Sequence, residues 1–268
     1  MRAYRRHDSQ VLDWQRRAAA NGGEPSTRGS IALDRFMQRS RAADITAAYE
    51  WVLPLVGKNF NAARTPLYAV IGSDPSGSVS FNDGDYSETV GLTGVSAHYL
   101  QTGITPSTDM QIYDSHGCAY LDKTGTLADL IYGSANGAGQ AFYLYPKHGT
   151  DTYTDHWSRF LGSGRTQHTD SMAGGLWLSD RSASNRHDLY KGNSSTSFAS
   201  AANATGSSGV RPTYEVYAMA GNEVGTAGNW FLSGACQWLS FGRSFSSSEA
   251  TDYFNAVQEF QEFLGRES

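Results

Sequence analysis

The 268-residue chain has four lysines against seventeen arginines, two cysteines, and no apolar run approaching the ~20 residues that a membrane-spanning helix needs. Membrane insertion is therefore not expected. The start, MRAYRRHDSQ, is basic, but no apolar core follows it, so no signal peptide is expected and the chain reads as soluble. Cys118 and Cys236 are too far apart for a metal-ligand spacing and too few for a disulfide framework, and are expected as two buried free thiols. A Gly-x-Ser-x-Gly elbow, a Gly-x-Gly-x-x-Gly turn and a Walker loop are all absent, which leaves serine-hydrolase and familiar nucleotide chemistry without support.

What is abundant points to turns and strands: 29 glycines, 15 tyrosines and 12 phenylalanines in a chain that is 39% apolar and 18% charged. The charge is unevenly placed. Residues 1–43 hold nine arginines against four acids, giving +5, and the remainder carries −10. A basic head on an acidic body suits docking on a neighbouring copy or another protein. It suits nucleic acid less, because no glycine-rich or aromatic RNA-binding signature accompanies the arginines.

Asp8 can cap a first helix carrying Val11, Leu12, Trp14 and Ala18, with Asn21-Gly22-Gly23 as its stop. Ser26 or Ser30 can cap a second, with Ile31, Leu33, Phe36 and Met37 as its apolar face. Asp44 can cap a third, carrying Ile45, Ala48, Tyr49 and Val52 as far as Pro54. From Pro66 the apolar period changes from 3.6 to 2, and strands are expected at 67–71, 78–81, 99–104, 110–114, 129–132, 142–145, 175–178, 188–190, 215–220 and 236–241. Residues 192–209, GNSSTSFASAANATGSSG, read as a long loop. Ser246-Ser-Ser-Glu249 is a capping box for a helix over 247–264. The organisation expected is a helical docking segment at 1–65 and an antiparallel two-sheet jelly-roll sandwich at 66–268 with a C-terminal helix.

Few residues stand in patterns that carry chemistry. Seven histidines are scattered at intervals that fit loop or sheet positions. In DTYTDHW, Asp151 and Asp155 could offer oxygens to Ca²⁺, though the glycine and further acids of an EF-hand loop are missing; the other reading is a polar loop. Glycosidases need two carboxyl groups about 5 to 9.5 Å apart. Asp83 and Asp85 have the spacing, but Gly84 between them suggests a turn, and Glu215 has no strand partner. Sugar binding without catalysis asks for less, an aromatic ring and nearby polar groups. Trp157, Tyr190, Trp230, Asn193 and Asn229 are the candidates, whereas Trp177 and Trp238 are expected to fill the core between the sheets.

Several stretches resemble concanavalin A-like, LamG-type jelly-roll proteins, related forms of which are encoded among the virion genes of tailed phages and prophages. GLTGVSAHYLQTGITPS at 91–107 is similar to a "G-x-T-G … Y-L-x-T-G-x-x-P-S" stretch. RHDLYKGN at 186–193 resembles a "Y-x-N-G" strand-turn, with a departure at Lys191, and LSFGRSFSSSE at 239–249 resembles the family's closing "G-x-x-L-s-x-x-E". The head, from VLDW at 11–14 to ANGG at 20–23, resembles the helical start of such phage proteins. The resemblance carries over no catalytic residue. It implies a non-enzymatic virion component of a tail, fibre or capsid surface, made in the host cytoplasm, homo-oligomeric, bound to other virion proteins and contacting host-surface glycans. A glycan-active hydrolase on the same sandwich and a bacterial lectin-like module of prophage origin are the alternatives. Assembly is expected through Val11, Trp14, Leu33 and Phe36, with Arg16 and Arg17 steering it. No cofactor beyond the Ca²⁺ of Asp151 and Asp155 is expected.

Overall fold

A computed structural model describes residues 7–266 apart from 76–77, 123–129, 138–139, 149–150, 160–164, 170–173, 196–197 and 205–209. Three long helices form where the capping residues lie. In α1 (Ser9–Ala20) the Asp8 carboxylate accepts from the Gln10 amide at 2.9 Å, and Gly22, at φ +73°, turns the chain away. In α2 (Thr27–Ala42) Ser26 accepts from the Gly29 amide at 2.8 Å. The helices α3 (Phe60–Ala63) and α4 (Pro106–Asp109) are single turns. Ser246 and Glu249 exchange capping bonds at the start of α5 (Ser247–Leu264), which Gly265 closes in the left-handed conformation.

Sheet A runs β14 (Ala199–Ala204), β13 (Arg186–Gly192), β12 (Gly175–Ala183), β7 (Ser115–Leu121), β18 (Ala235–Gly242), β1 (Tyr49–Leu53) and β2 (Tyr68–Ala69). Beyond that path, β5 (Gly91–Thr93) pairs with β18 and with β4 (Tyr86–Ser87). Sheet B runs β11 (Thr166–Thr169), β10 (Asp151–Arg159), β9 (Gln140–His148), β8 (Tyr132–Ala135), β15 (Tyr217–Ala218), β6 (Tyr99–Gln101) and β3 (Ser78–Val79). There, β16 (Ala220–Glu223) lies parallel to β8 and antiparallel to β17 (Thr226–Phe231). The remaining pairings are antiparallel, as the period-2 pattern predicts.

The molecule has three layers. Between the sheets lies one apolar cluster with Trp51, Leu121, Phe142, Trp157, Trp177 and Phe241. On the outer face of sheet A, α1, α2 and α5 bury a second, including Trp14, Phe36, Trp238, Tyr253 and Phe260. Trp238 therefore belongs to the helix layer and not to the space between the sheets, while Trp177 is where its pattern places it. Cys118 and Cys236 are both buried free thiols, in the helix-side and the inter-sheet cluster respectively.

Three expectations need correction. The helix expected after Asp44 is a 3₁₀ turn followed by β1: Asp44 takes φ +57°, and Trp51, Val52 and Leu53 pair with Phe241, Ser240 and Leu239 of β18. Tertiary pairing overrides a short helical stripe, and residues 49–53 of the supposed docking segment are a strand inside sheet A. Residues 199–204 of the expected long loop form β14 beside β13. Residues 110–114 make no strand; the strand begins at Ser115 and is buried along its whole length, so it lacks the alternation by which a half-exposed strand is read.

Candidate functional site

The residues expected at an interface lie inside the chain. Val11, Trp14, Leu33 and Phe36 are buried against sheet A, and the Trp14 indole donates to the Thr65 carbonyl at 3.0 Å. Arg17 pairs with Asp13 and Asp74 of its own chain, and Arg39 with Glu259; Arg16 pairs with Asp13 and stays exposed. The basic head thus meets acids of its own body, and Val11, Trp14, Leu33 and Phe36 are covered by the chain itself, while Leu12 and Ile31 of the same helices stay exposed.

The sugar candidates are dispersed. Trp157 is in the inter-sheet core. It takes φ +60° at a bulge where the register of β10 on β9 shifts between His156 and Ser158, so neighbouring rings His156 and Trp157 both meet Phe142, at 4.9 Å each. Trp230 is half-buried on another cluster with Tyr143 and Tyr145, where Gly133 leaves room for the Tyr143 ring and Gly221 for Leu130. Asn193 donates to the Gly174 carbonyl at 3.4 Å and accepts from the Ser195 amide at 2.9 Å. The side chain of Asn229 lies outside the described residues.

The cation pair also separates. Asp151 and Asp155 lie in β10, and four residues of strand span about 13 Å, beyond what one Ca²⁺ with ~2.4 Å bonds can bridge. Asp155 is fully buried and takes a two-pronged contact from Arg165, at 2.9 and 2.6 Å. The side chain of Asp151 lies outside the described residues. Among the described residues no three His, Cys, Asp or Glu side chains converge on a metal position. Asp83-Gly84-Asp85 is a 3₁₀ turn capped by Asn82, in keeping with the turn reading.

Two groupings went unseen in the sequence because their members come from distant strands. In the first, the Ser179 hydroxyl lies 3.0 Å from His156 Nδ1 and 3.0 Å from His187 Nε2, and His156 Nε2 lies 2.9 Å from Ser115 Oγ. Burial drives His156 well below the ordinary imidazole range, with His187 and then the cation Arg181 adding to the effect. The array is sealed from solvent, so these serines present no nucleophile to a substrate.

The second is a groove of about 470 Å³ where the β12–β13 hairpin meets the start of α5. Ser182, Arg186, Asp188, Tyr190, Ser246 and Glu249 are among its walls. The pleat sends Arg186, Asp188 and Tyr190 of β13 to the helix-facing side together. Arg186 Nε donates to Asp188 at 2.5 Å, and the Tyr190 hydroxyl bonds to Ser247. The Tyr190 ring stacks on Phe198, with centroids 5.5 Å apart, so its face is taken.

Beneath the groove is Asp180, 1% exposed, whose Cα partners are Asp188 on β13 and His116 on β7. Its Oδ1 accepts from the Phe245 amide at 2.9 Å, and its Oδ2 is buried with no hydrogen-bond partner. Burial pushes this carboxyl up to about 8, the Phe245 amide opposing and Asp188 and Asp114 adding to the rise. The mixture of hydroxyls, one guanidinium and carboxyl groups is suited to a neutral, hydroxyl-rich ligand held by hydrogen bonds.

No family model and no curated protein matches the chain. Among solved structures, it is similar to domain 4 of AbnA, an extracellular arabinanase from Geobacillus stearothermophilus, in complex with arabinotriose. The identity is 10% over 59% of this chain and 72% of that one, with a TM-score of 0.39. It is similar also to the NanB sialidase of Streptococcus pneumoniae, at 10% identity over 59% of this chain and 27% of that one, TM-score 0.37. An arabinofuranosidase complexed with arabinofuranosyl-α-1,2-xylobiose shares 12% identity over 65% of this chain and 40% of that one, TM-score 0.40. The chain spans well under half the length of the sialidase and arabinofuranosidase chains. Likeness of this degree assigns neither family nor activity.

Proposed function

We propose that the protein is a carbohydrate-recognising β-sandwich without catalytic activity, and that its ligand groove lies between the β12–β13 hairpin and the start of α5. The observation that carries this reading is the lining of the groove: Arg186 and Asp188 paired through Nε, with Glu249 and serine hydroxyls around an opening of about 470 Å³. That volume lies in the range of small-ligand sites, and paired guanidinium and carboxylate groups answer the alternating donors and acceptors of sugar hydroxyls. As part of a virion, which the sequence resemblance implies, such a groove would contact host-surface glycans.

A second reading, a glycan-active hydrolase, is favoured by one feature: Asp180 and Asp188 face each other across the hairpin, near enough for a carboxyl pair. Against it, both are almost completely buried and Asp188 is held by Arg186.

Oligosaccharide array binding tests the first reading with the parent and with Ser182→Tyr, which fills the groove from an exposed position, and Arg186→Ala. Binding is expected in the parent and lost in both variants; undiminished binding in both would overturn the groove assignment. Steady release of reducing ends, abolished by Asp188→Asn, would replace recognition by hydrolysis.

A further inference from the structure

Arg186 and Asp188 stand two positions apart on β13, so the pleat turns both towards the groove, while His187 between them points into the core and meets Ser179 at 3.0 Å. Asp188 is paired through its backbone on both sides, opposite Asp180 of β12 and Asn203 of β14, which fixes its place in the wall. The protein has another carboxylate–guanidinium pair, and the two are joined differently. Arg165 closes on Asp155 with two contacts, Nε to Oδ1 at 2.9 Å and Nη2 to Oδ2 at 2.6 Å, so both oxygens are used. Arg186 reaches Asp188 through Nε and Oδ2 alone, at 2.5 Å. Asp188 is 3% exposed, yet its Oδ1 has no hydrogen bond among the described residues and, unlike Oδ2 of Asp180, is not sealed; the open space it meets is the groove that Asp188 lines. Beyond the Tyr190 hydroxyl, the terminal nitrogens of Arg186 also have no partner among the described residues, and this side chain is 53% exposed.

We propose that this open pair is a clamp for a vicinal diol: one hydroxyl donates to Asp188 Oδ1, and the oxygen on the adjacent carbon accepts from a terminal nitrogen of Arg186. The ligand class is then a neutral saccharide with free hydroxyls on neighbouring carbons, and Asp188 and Arg186 are its specificity-determining residues. This rests on the groove being the saccharide site. Joined through one contact, the pair leaves an acceptor and a donor side by side, and hydroxyls on adjacent carbons are side by side in the same way. A lone hydroxyl answers only one of the two and takes water from the other, which is the costly half of the exchange in a wall as closed as that around Asp188. The charges of the pair cancel, so a neutral ligand leaves none uncompensated. A uronate would instead compete with Asp188 for Arg186 and add its charge to that of Glu249 in the lining.

Calorimetry tests the clamp with methyl β-1,4-xylotrioside, whose 2,3-diols are trans, and methyl β-1,4-mannotrioside, whose 2,3-diols are cis, each beside the same chain deoxygenated at carbon 3 of every residue. The deoxy chains keep every 2-hydroxyl and have no adjacent pair. At least one parent chain is expected to bind, about tenfold more tightly than its deoxy partner, which is the worth of one charge-assisted hydrogen bond. Arg186→Lys keeps the charge and loses the fork; Asp188→Asn keeps the shape and loses the charge. In whichever of the two removes the partner of the 3-hydroxyl, the ratio should fall to about one, while the other variant weakens both chains alike. The ratio in the unaltered protein stands by itself if either variant does not fold.

A parent chain that binds, is blocked by Ser182→Tyr, and is matched in affinity by its deoxy partner would overturn the clamp while the groove reading stands. A ratio that persists undiminished in both folded variants would do the same, since the 3-hydroxyl would then be held by other residues. Binding that survives Ser182→Tyr, or failure of both parent chains to bind, would overturn the clamp and the groove together.

Discussion

Two residues show how burial decides what a charged side chain is for. Arg266, just past α5, is 2% exposed and donates to the carbonyls of Leu55, Glu88 and Gln237 at 2.6, 2.6 and 3.1 Å. Burial lowers it to about 10, so it is still charged at neutral pH, tying the segment after α5 to two loops and to β18. Arg266→Met leaves those acceptors without their donor and should cost about 3 kcal/mol or more, read from denaturant midpoints. Asp180 is the opposite case. Its folded value of about 8 lies above that of an unfolded aspartate, so ionisation opposes folding. Its favourable contribution is whole below about pH 4 and is lost as pH rises towards 8. Relative to the parent, Asp180→Asn should gain stability between those values, by up to about 1.4 kcal/mol per pH unit, with a constant difference above pH 8. Melts across pH 4 to 10 measure this, and a difference independent of pH would refute it.

At the scale of elements, the helices are part of the fold and not an attachment to it. α1 and α2 reach sheet A through Trp14, Leu33, Phe36 and Met37, and Phe36 meets Trp238 edge-on at 4.7 Å and Phe260 at 6.3 Å. Trp14→Ala removes a fully buried ring and its bond to Thr65, and should cost about 3–5 kcal/mol of unfolding free energy in a monomer. A variant that keeps parental stability and merely changes oligomeric state would restore the intermolecular role expected from the sequence. Ser246→Ala removes one half of the α5 capping box and should cost about 1 kcal/mol. Since Ser246 also lines the groove, saccharide binding measured on the same variant separates a cap from a contact.

Across the whole molecule, the three layers share one sheet, because sheet A is covered by helices on one face and by sheet B on the other. Removing residues 1–43 would uncover Trp238 and its neighbours; the shortened chain is expected to bind a hydrophobic dye and scatter light, where an independent sandwich would stay dispersed. The two thiols report on the same cooperativity. Cys118 and Cys236 are completely buried on opposite faces of sheet A, and burial raises both, Cys236 to about 12. Both should react with a thiol reagent only as the molecule unfolds, with one rate for the two. A fast and a slow cysteine would show that the helix layer opens before the sandwich.

Local chemistry made α1, α2 and α5 legible, since a cap such as Asp8, Ser26 or Ser246 and a left-handed stop such as Gly22 act within four residues of where they stand. The strands at β9, β13 and β18, the mainly β class and the buried state of the cysteines were legible as well. The rest depended on long-range partners. Tyr49–Leu53 carries a helical stripe and becomes a strand because β18 offers its edge. The stretch 151–157 reads as a polar loop and becomes part of β10 because β9 and β11 satisfy its backbone on both sides. The apolar stripes of α1 and α2 show that something must cover them, but a stripe is the same whether its partner is another copy or the chain's own sheet. The groove lay furthest out of reach. Asp180 and Asp188 are eight positions apart, ordinary acids in a polar stretch, and it takes the hairpin to set them face to face and the N-terminus of α5 to bury one of them. Spacing along the chain determines elements; which faces meet, and which charges lose their water, is decided by the packing of the whole.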